Sequence, residues 1–195
     1  EIAQLLEGLG HHVEERGPKL PLNPAEALQV IVGANTALTV RLAEQRLGRA
    51  VTDREFERLT LASAANAKYA TAVDYVAAQQ AAFQISRALA TFFADCDVFL
   101  TPTLGTPPLR LGALDTMAAD LSGISPTLRG YMPATAMFNM SGQPAMSVPL
   151  AWSASGLPLG MMFAARFGDE ATLFRLAAQL EQARPWKERR PPVCA

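Results

Sequence analysis

Residues Asn139–Pro149 read NMSGQPAMSVP and place a polar side chain, a glycine turn and two prolines around a short apolar run. Further along, Gly156–Gly160 (GLPLG) introduces a second apolar run, MMFAA, at Met161–Ala165. Short apolar runs bounded by Gly and Pro are typical of buried strands. The sequence therefore predicts two paired strands in one sheet, followed by a helix from about Asp169 to Arg184.

The length and composition fit one domain or a large part of a bigger one. Of the 195 residues, 50% are hydrophobic and 18% are charged, so the chain can bury a sizeable core. The 17 basic and 18 acidic residues nearly cancel, which favours neither a nucleic-acid nor an anionic-membrane partner. No apolar run reaches the roughly 18 residues of a membrane span. Because Cys96 and Cys194 are too few for a disulfide framework, we expect a reduced, cytoplasmic protein.

The first residues resemble the middle of a longer protein. Apolar side chains at helical spacing run from Ile2 to Leu9 without an initiator Met or an N-cap, and Gly10 is the expected C-cap. The sequence is therefore predicted to be a fragment. A short strand that carries Val13 is predicted at His11–Glu15.

Helices are predicted to cover the sheet. Asn23–Pro24 supplies the N-cap and first-position proline of a helix that ends at Gly48, and Thr52–Glu55 has capping-box spacing at the start of a shorter one. A long alanine-rich helix is predicted over about 71–94, and its bulky apolar residues indicate one broad buried face. A third buried strand is predicted at Val98–Leu100.

Residues 104–133 are rich in Gly, Pro, Ser and Thr, which predicts a long loop with at most a short helix near 117–121. A loop of that length in a compact domain usually forms a lid or a cleft wall. Another short helix is predicted over 134–140, running into Gly142.

The sequence contains no complete catalytic set. His11 and His12 are the only histidines, and the nucleophile elbow, phosphate loop and dinucleotide fingerprint are all absent. Ser141 precedes Gly142, but no base is spaced to activate it, so a role in a local turn is favoured. The three lysines lie in loops or exposed positions, without the desolvated surroundings that a lysine base needs. No ligand cluster at metal-binding spacing is present, so no metal is expected.

Several ordered motifs together resemble the C-terminal part of the amidase signature family. They are Asp97–Thr103 (DVFLTPT), Asn139–Pro149, Gly156–Ala165 and the Pro-Trp pair at 185–186, and the opening Leu5–Glu14 (LLEGLGHHVE) is similar to the family's middle region. The resemblance implies an α/β fold, with a mixed, twisted β-sheet covered by α-helices. Residues 1–195 are then expected to form the C-terminal portion of a single amidase domain whose N-terminal catalytic part is missing.

The resemblance also implies the chemistry. Members of the family hydrolyse amides with a serine nucleophile, a second serine held on a cis peptide and a lysine base, within and before a Gly/Ser-rich signature. That signature has no counterpart here, since the Ser-Gly pairs at Ser122, Ser141 and Ser155 lack its glycine and serine run. We therefore expect no catalytic residue and no cofactor in this chain, and no amide hydrolysis by the chain alone.

The chain is expected instead to line the substrate cleft of the amidase that it resembles. Pockets for small molecules are mostly apolar and hold few polar groups. The candidate substrate-binding residues are Tyr131, Met132, Thr135, Phe138, Asn139, Pro102 and Thr103. For each of them, core packing or turn formation is the alternative interpretation.

The residues just before Asn139 indicate the kind of substrate. Glutamine-dependent amidotransferase subunits of the family carry an acidic residue there, whereas Tyr131–Phe138 contains no carboxylate. Because a buried ammonium group without a partner is costly, the expected partner is a neutral or hydrophobic amide of the kind that cyclic-dimer or aryl amidases hydrolyse. Two alternatives stay open, namely a segment of an amidotransferase subunit and a truncated, non-catalytic scaffold that self-associates, for example as a homodimer.

Overall fold

Seven α-helices and three β-strands make up the part of the chain that the computed structural model describes, residues 1–190. In chain order they are α1 (Ile2–Gly8), α2 (Pro24–Leu47), α3 (Arg58–Asn66), α4 (Ala72–Phe92), β1 (Val98–Pro102), α5 (Ile124–Tyr131), α6 (Thr135–Ser141), β2 (Ala145–Trp152), β3 (Pro158–Ala165) and α7 (Glu170–Ala183). The sequence also predicts an exposed tail over Pro185–Ala195, whose last five residues, including Cys194, lie outside the described residues.

The three strands form one antiparallel sheet in the order β1-β3-β2. Ala164 of the central strand lies between Phe99 of β1 and Ala145 of β2, which fixes the register across the sheet. The register shifts between Pro149 and Ala151, where β2 carries an irregularity. The predicted pairing of the two glycine- and proline-bounded strands is confirmed.

One face of the sheet packs against α1 and α7. The buried residues of this cluster are Ile2, Leu6, Val148, Leu150, Phe163, Ala165, Leu173, Leu176 and Leu180. Full burial of an aliphatic or aromatic side chain contributes about 1.5–3 kcal/mol, so this cluster holds α7 to the sheet. The helix α7 begins and ends within one residue of the predicted positions.

The opposite face is covered by α4 and α6 around its apolar residues. The buried residues of this second cluster are Ile85, Leu89, Phe93, Met137, Phe138, Met162 and Ala164, with Phe99 packed against them. The ring of Phe99 stands edge-on to Phe92, at 5.6 Å between centroids. Helix α2 is a further layer, because it packs on α4 through Ala27, Ala78 and Ala81.

The starts of α2 and α4 show why these helices begin where they do. The side chain of Asn23 accepts a hydrogen bond from the Ala25 N–H at 3.0 Å, directly before the first-position proline. Thr71 and Asp74 form a reciprocal capping box, with hydrogen bonds of 2.7 and 3.1 Å. Such side chains satisfy N–H groups that the first turn leaves without partners. Both helices are therefore specified locally by sequence.

The predicted strand at His11–Glu15 is wrong. The segment is extended, but it joins no β-ladder among the described residues. Its ends are held by side chains instead, since His11 bonds Gln179 at 2.7 Å and Arg16 bonds Asp95 at 3.0 and 3.1 Å. Alternating side chains alone do not make a strand when no neighbouring strand pairs with the backbone.

The helices α3 and α5 begin later in the chain than the short helices predicted after Thr52 and near 117–121. Thr52 donates its N–H to the Glu55 carboxylate at 2.8 Å, as the capping box requires, yet the pair closes only a turn and α3 begins at Arg58. The predicted helix near 117–121 is a turn in which Asp115 accepts the Met117 N–H at 2.9 Å. Local side-chain hydrogen bonds stabilise turns as readily as helix starts, so they could not locate these helices.

Helix α4 buries a narrower face than predicted. Its buried positions are Ala78, Ala81, Ile85 and Leu89. By contrast, Val73 is 76% exposed and Phe83 is 58% exposed. Small residues face the neighbouring helix α2 and let it approach closely, while several bulky ones face outward.

Candidate substrate-binding site

One end of the second sheet face carries hydroxyl groups and a glycine. Thr101, Met162 and Ser147 lie side by side across the three strands. In the next row, the Thr103 N–H donates to the Gly160 carbonyl at 2.9 Å. Ser147 is exposed, and Thr101, Thr103 and Gly160 are partly buried, so this end of the face is accessible to solvent.

Thr103 and Ser147 share a side-chain hydrogen bond although β3 separates their strands. The Thr103 Oγ1 atom lies 2.6 Å from the Ser147 Oγ atom. The two hydroxyls meet because Gly160 has no side chain, since a Cβ there would lie 2.6 Å from Ser147 Oγ and 2.9 Å from Thr103 Oγ1. We name Thr103, Ser147 and Gly160 the hydroxyl clamp.

The chain after Thr103 is fixed against the end of α5. The Gly105 N–H donates to the Tyr131 carbonyl at 2.9 Å. A Cβ on Gly105 would overlap the carbonyl oxygen of Gly130 and lie 3.4 Å from the ring of Pro133. The chain that leaves β1 is therefore held to the sheet by the hydroxyl clamp and to the α5–α6 connection by Gly105.

A cavity of about 280 Å³ lies between the α5–α6 connection and the start of α2. Its lining is mostly apolar and consists of Leu20, Asn23, Pro24, Ala25, Arg129, Met132, Pro133, Ala134, Ala136 and Met137. Its volume lies just below the roughly 300–1,000 Å³ typical of small-molecule pockets, and its apolar lining with few polar groups resembles theirs. Arg129 places a cationic side chain at its wall.

Two of the seven predicted site residues, Met132 and Thr103, lie at these two features, and Tyr131 and Pro102 are their neighbours in the chain. Met132 lines the cavity and is 42% exposed. Tyr131 ends α5, and its carbonyl accepts the hydrogen bond from Gly105. Pro102 ends β1 and is exposed, and Thr103 belongs to the hydroxyl clamp. Their contact with a substrate stays a prediction.

The three predicted residues of α6 differ from one another in burial. Phe138 is 6% exposed, and its ring centroid lies 6.2 Å from that of Phe99, which favours core packing. Thr135 is partly buried at the first position of α6, and Asn139 is exposed. None of the three lines the cavity, so substrate contact by them also stays a prediction.

Sequence reasoning missed Ser147, Gly160 and Arg129. A signal for Ser147 was present, because alternation along β2 puts it on the face opposite the apolar Met146 and Val148. A hydroxyl among the apolar residues Phe99, Met162 and Ala164 of this face indicates a role other than packing. The meeting of Ser147 with Thr103 depends on the register of two strand pairs, which the sequence does not specify directly.

Residues 1–190 contain no arrangement of a nucleophile with a base. His11 bonds Gln179, His12 bonds Glu14 at 3.0 Å, and both histidines are exposed. The buried Ser141 Oγ has no hydrogen-bond partner, whereas an activated serine needs a base within reach. In the same residues no three His, Cys, Asp or Glu side chains cluster as metal ligands. None of the described helices has both the length and the apolarity to cross a bilayer.

A second cavity, of about 420 Å³, is polar and lies at the connection between α2 and α3. Its lining is Arg49, Thr52, Asp53, Arg54 and Glu55. A 2.7 Å hydrogen bond from the Arg49 guanidinium, with further ones from Thr52, lowers the pKa of Glu55 to about 2. Arg49 is thus paired with Glu55, and Asp53 is paired with Arg58 at 3.2 Å, which favours a structural role for this second cavity.

The sequence profile described as Amidase matches residues 1–174. The chain therefore belongs to the amidase signature family. It is 38% identical over 185 residues to the putative amidase AmiC of Mycobacterium leprae, a match that covers 94% of this chain and 39% of the relative. It is also 40% identical over 106 residues to the 6-aminohexanoate-cyclic-dimer hydrolase of Pseudomonas sp. (strain NK87), covering 51% of this chain and 21% of that enzyme.

The fold agrees with that assignment. The solved structure of a 6-aminohexanoate cyclic dimer hydrolase complexed with substrate matches with a TM-score of 0.85 at 29% identity, over 97% of this chain and 41% of that one. The predicted α/β fold class and family resemblance are confirmed. The chain spans about two-fifths of the length of the relatives that it matches over most of its own length.

Proposed function

We propose that this chain is the C-terminal portion of a single amidase domain and forms part of its substrate cleft. Family membership supports amide hydrolysis by the whole enzyme. The observation that carries the cleft role is the mostly apolar cavity at the α5–α6 connection, which Met132 lines and which a short link joins to the hydroxyl clamp.

Bond cleavage is assigned to residues outside this chain. In the reaction that the family resemblance implies, a serine hydroxyl attacks the amide carbonyl while a neutral lysine withdraws its proton through a second serine on a cis peptide. The amine leaves, and water then frees the acyl group. Backbone amides that hold the oxyanion are worth about 3 kcal/mol per donor in other hydrolases. Since residues 1–190 hold no such nucleophile and base together, their part is substrate binding.

The substrate is proposed to be a neutral or hydrophobic amide. Tyr131–Phe138 offers no carboxylate to hold an ammonium group. Arg129 adds a positive charge at the cavity, which repels an ammonium group further. The alternative, a segment of a glutamine-dependent amidotransferase subunit, is disfavoured by the same two features.

Self-association is a second proposed property, favoured by exposed apolar residues on two helices. Exposed apolar residues lie on the packed helices α2 and α4, and they are Val32, Leu38, Leu42, Val73, Val76 and Phe83. Apolar surfaces of this kind often mark sites of association. We expect the purified chain to form a homodimer, and light scattering that shows a monomer at high protein concentration would contradict this.

The proposed activity is tested by two assays. The purified chain should release no product from nitroacetanilide, a neutral aryl amide, because the catalytic groups lie elsewhere. The longest polypeptide that the gene encodes should hydrolyse nitroacetanilide in preference to glutamine. Turnover by the chain alone would refute the division of roles, and a clear preference for glutamine would refute the proposed substrate class.

A further inference from the structure

The hydroxyl clamp joins two strands that are not neighbours. β1 and β2 each pair with β3, and the 2.6 Å contact between Thr103 Oγ1 and Ser147 Oγ is a direct link across it. A glycine inside a strand weakens the strand, because it adds no packing and costs conformational entropy. Gly160 thus disfavours the sheet by itself, and its place in β3 is explained by the space that the two hydroxyls occupy.

The clamp lies where the chain leaves the sheet. Thr103 follows β1 directly and is held twice, by its N–H on the Gly160 carbonyl and by its hydroxyl on Ser147. Two residues later the Gly105 N–H bonds the Tyr131 carbonyl at 2.9 Å. Two residues span at most about 7 Å, so Gly105 lies close enough to the clamp for a shift there to reach it.

Gly105 in turn contacts the wall of the cavity. It packs against the Gly130 carbonyl and the Pro133 ring, and Pro133 lines the cavity together with Arg129 and Met132. We infer that the hydroxyl clamp is a positioning device that sets this wall relative to the sheet. Thr103 and Ser147 act as positioning residues, not as catalytic ones. The inference rests on the proposed function, because the wall belongs to the same cleft.

Amide hydrogen exchange on this chain tests the device without any assay of activity. Thr103→Val keeps the shape of the side chain and removes its hydroxyl, and Ser147→Ala removes the partner hydroxyl. Thr103→Ser is the conservative variant that keeps a hydroxyl at position 103. We expect the first two variants to raise the exchange rate of the Gly105 amide by about threefold to tenfold, with Thr103→Ser close to wild type. Amides of β3 at Phe163 should keep their wild-type rates.

Thr101→Val is the matched control, because Thr101 lies in β1, two residues before Thr103 and outside the clamp. Unchanged exchange at Gly105 in Thr103→Val would overturn the inference. An equal rise at Gly105 and at Phe163 would also overturn it, since that result indicates general loosening of the sheet.

Binding of nitroacetanilide separates this inference from the proposed function. Chemical-shift changes at Met132 in the wild type, together with a severalfold larger Kd for Thr103→Val, would support the inference that the clamp positions the cavity wall. Equal binding by both proteins would overturn that role even if Gly105 loses protection. If wild type does not bind the probe, the proposed cleft role fails, while the exchange rates at Gly105 still decide whether the clamp holds this segment.

Discussion

The two faces of the small sheet serve different purposes although the same strands build both. The face toward α1 and α7 is apolar, with Leu150 and Phe163 fully shielded from solvent. The opposite face is apolar only beneath α4 and α6, and it changes to the hydroxyls of Thr103 and Ser147 at its accessible end. Strand alternation thus lets one sheet hold a core on one face and present solvent-accessible hydroxyls, the candidate site, at the end of the other.

This difference predicts how each face responds to substitution. On the first face, a lost side chain leaves a cavity, because well-packed neighbours cannot move in to fill it. At the accessible end of the second face, adding a side-chain atom should lower stability more than removing one. The reason is that the close contacts there depend on the absence of a side chain at Gly160.

The largest effect is expected from Phe163→Ala in the central strand. Phe163 is 0% exposed, so its loss should lower the free energy of unfolding by about 3–5 kcal/mol. Urea titration followed by circular dichroism measures the change. Phe174→Ala is the matched control, because Phe174 is 75% exposed on α7 and should alter stability by no more than about 0.5 kcal/mol. Similar losses for both variants would remove the distinction between core and surface.

Gly160→Ala should have the next largest effect. The added methyl group separates the clamp hydroxyls and should cost about 1–3 kcal/mol of unfolding free energy. Gly8→Ala in α1 is the control, since no atom lies within 4 Å of the built Cβ and stability should rise by about 0.4–1 kcal/mol. A Gly160→Ala protein as stable as wild type would show that the clamp can accommodate a methyl group at this position, which would contradict the prediction.

Thr71→Ala should destabilise α4, the helix that covers the second face of the sheet. The capping box at the start of α4 is lost, and the unfolding free energy should fall by about 1 kcal/mol. Thr91→Ala is compared by thermal unfolding, because the Thr91 hydroxyl only bonds the Arg87 carbonyl inside the same helix. Equal losses for the two variants would contradict a specific role of the cap.

The smallest effect is expected from Glu55→Gln, because Glu55 lies away from both faces of the sheet. Hydrogen bonding by Arg49 lowers the pKa of Glu55 from 4.5 to about 2 in the folded state. A carboxyl whose folded-state pKa is depressed stabilises the fold above its unfolded pKa, and this contribution is lost as pH falls toward the folded value. The stability difference between wild type and Glu55→Gln should therefore be present at neutral pH and disappear between pH 4.5 and about 2.

Thermal unfolding over that pH range measures the difference. Glu57→Gln is the matched control, because the described residues show no ion pair for Glu57. A difference between wild type and Glu55→Gln that grows as pH falls would contradict the direction of the pKa shift.

Local chemistry predicted much of the fold. Glycine and proline punctuation located β2 and β3, and the Asn23 cap located α2, because these signals act within a few residues. The predicted strand at His11–Glu15 failed because a strand needs a partner, and partners are set by the tertiary arrangement. The predicted helix near 117–121 failed because its polar residues form turns equally well.

The candidate site was predicted only in part for a related reason. Met132 and Thr103 were suggested by position and family resemblance, and the structure places them at the cavity and at the clamp. Ser147 and Gly160 matter through contacts between β1, β2 and β3, whose register is fixed by the whole sheet. Arg129 reaches the cavity through the position of α5, which the sequence did not locate.

The division between substrate binding here and bond cleavage elsewhere is tested most directly by titrating the isotopically labelled chain with nitroacetanilide while product release is followed in the same sample. We expect chemical-shift changes at Gly105, Met132 and Ser147, and no release of nitroaniline. Release of nitroaniline by this chain, or shift changes confined to residues far from the cavity and the clamp, would contradict that division.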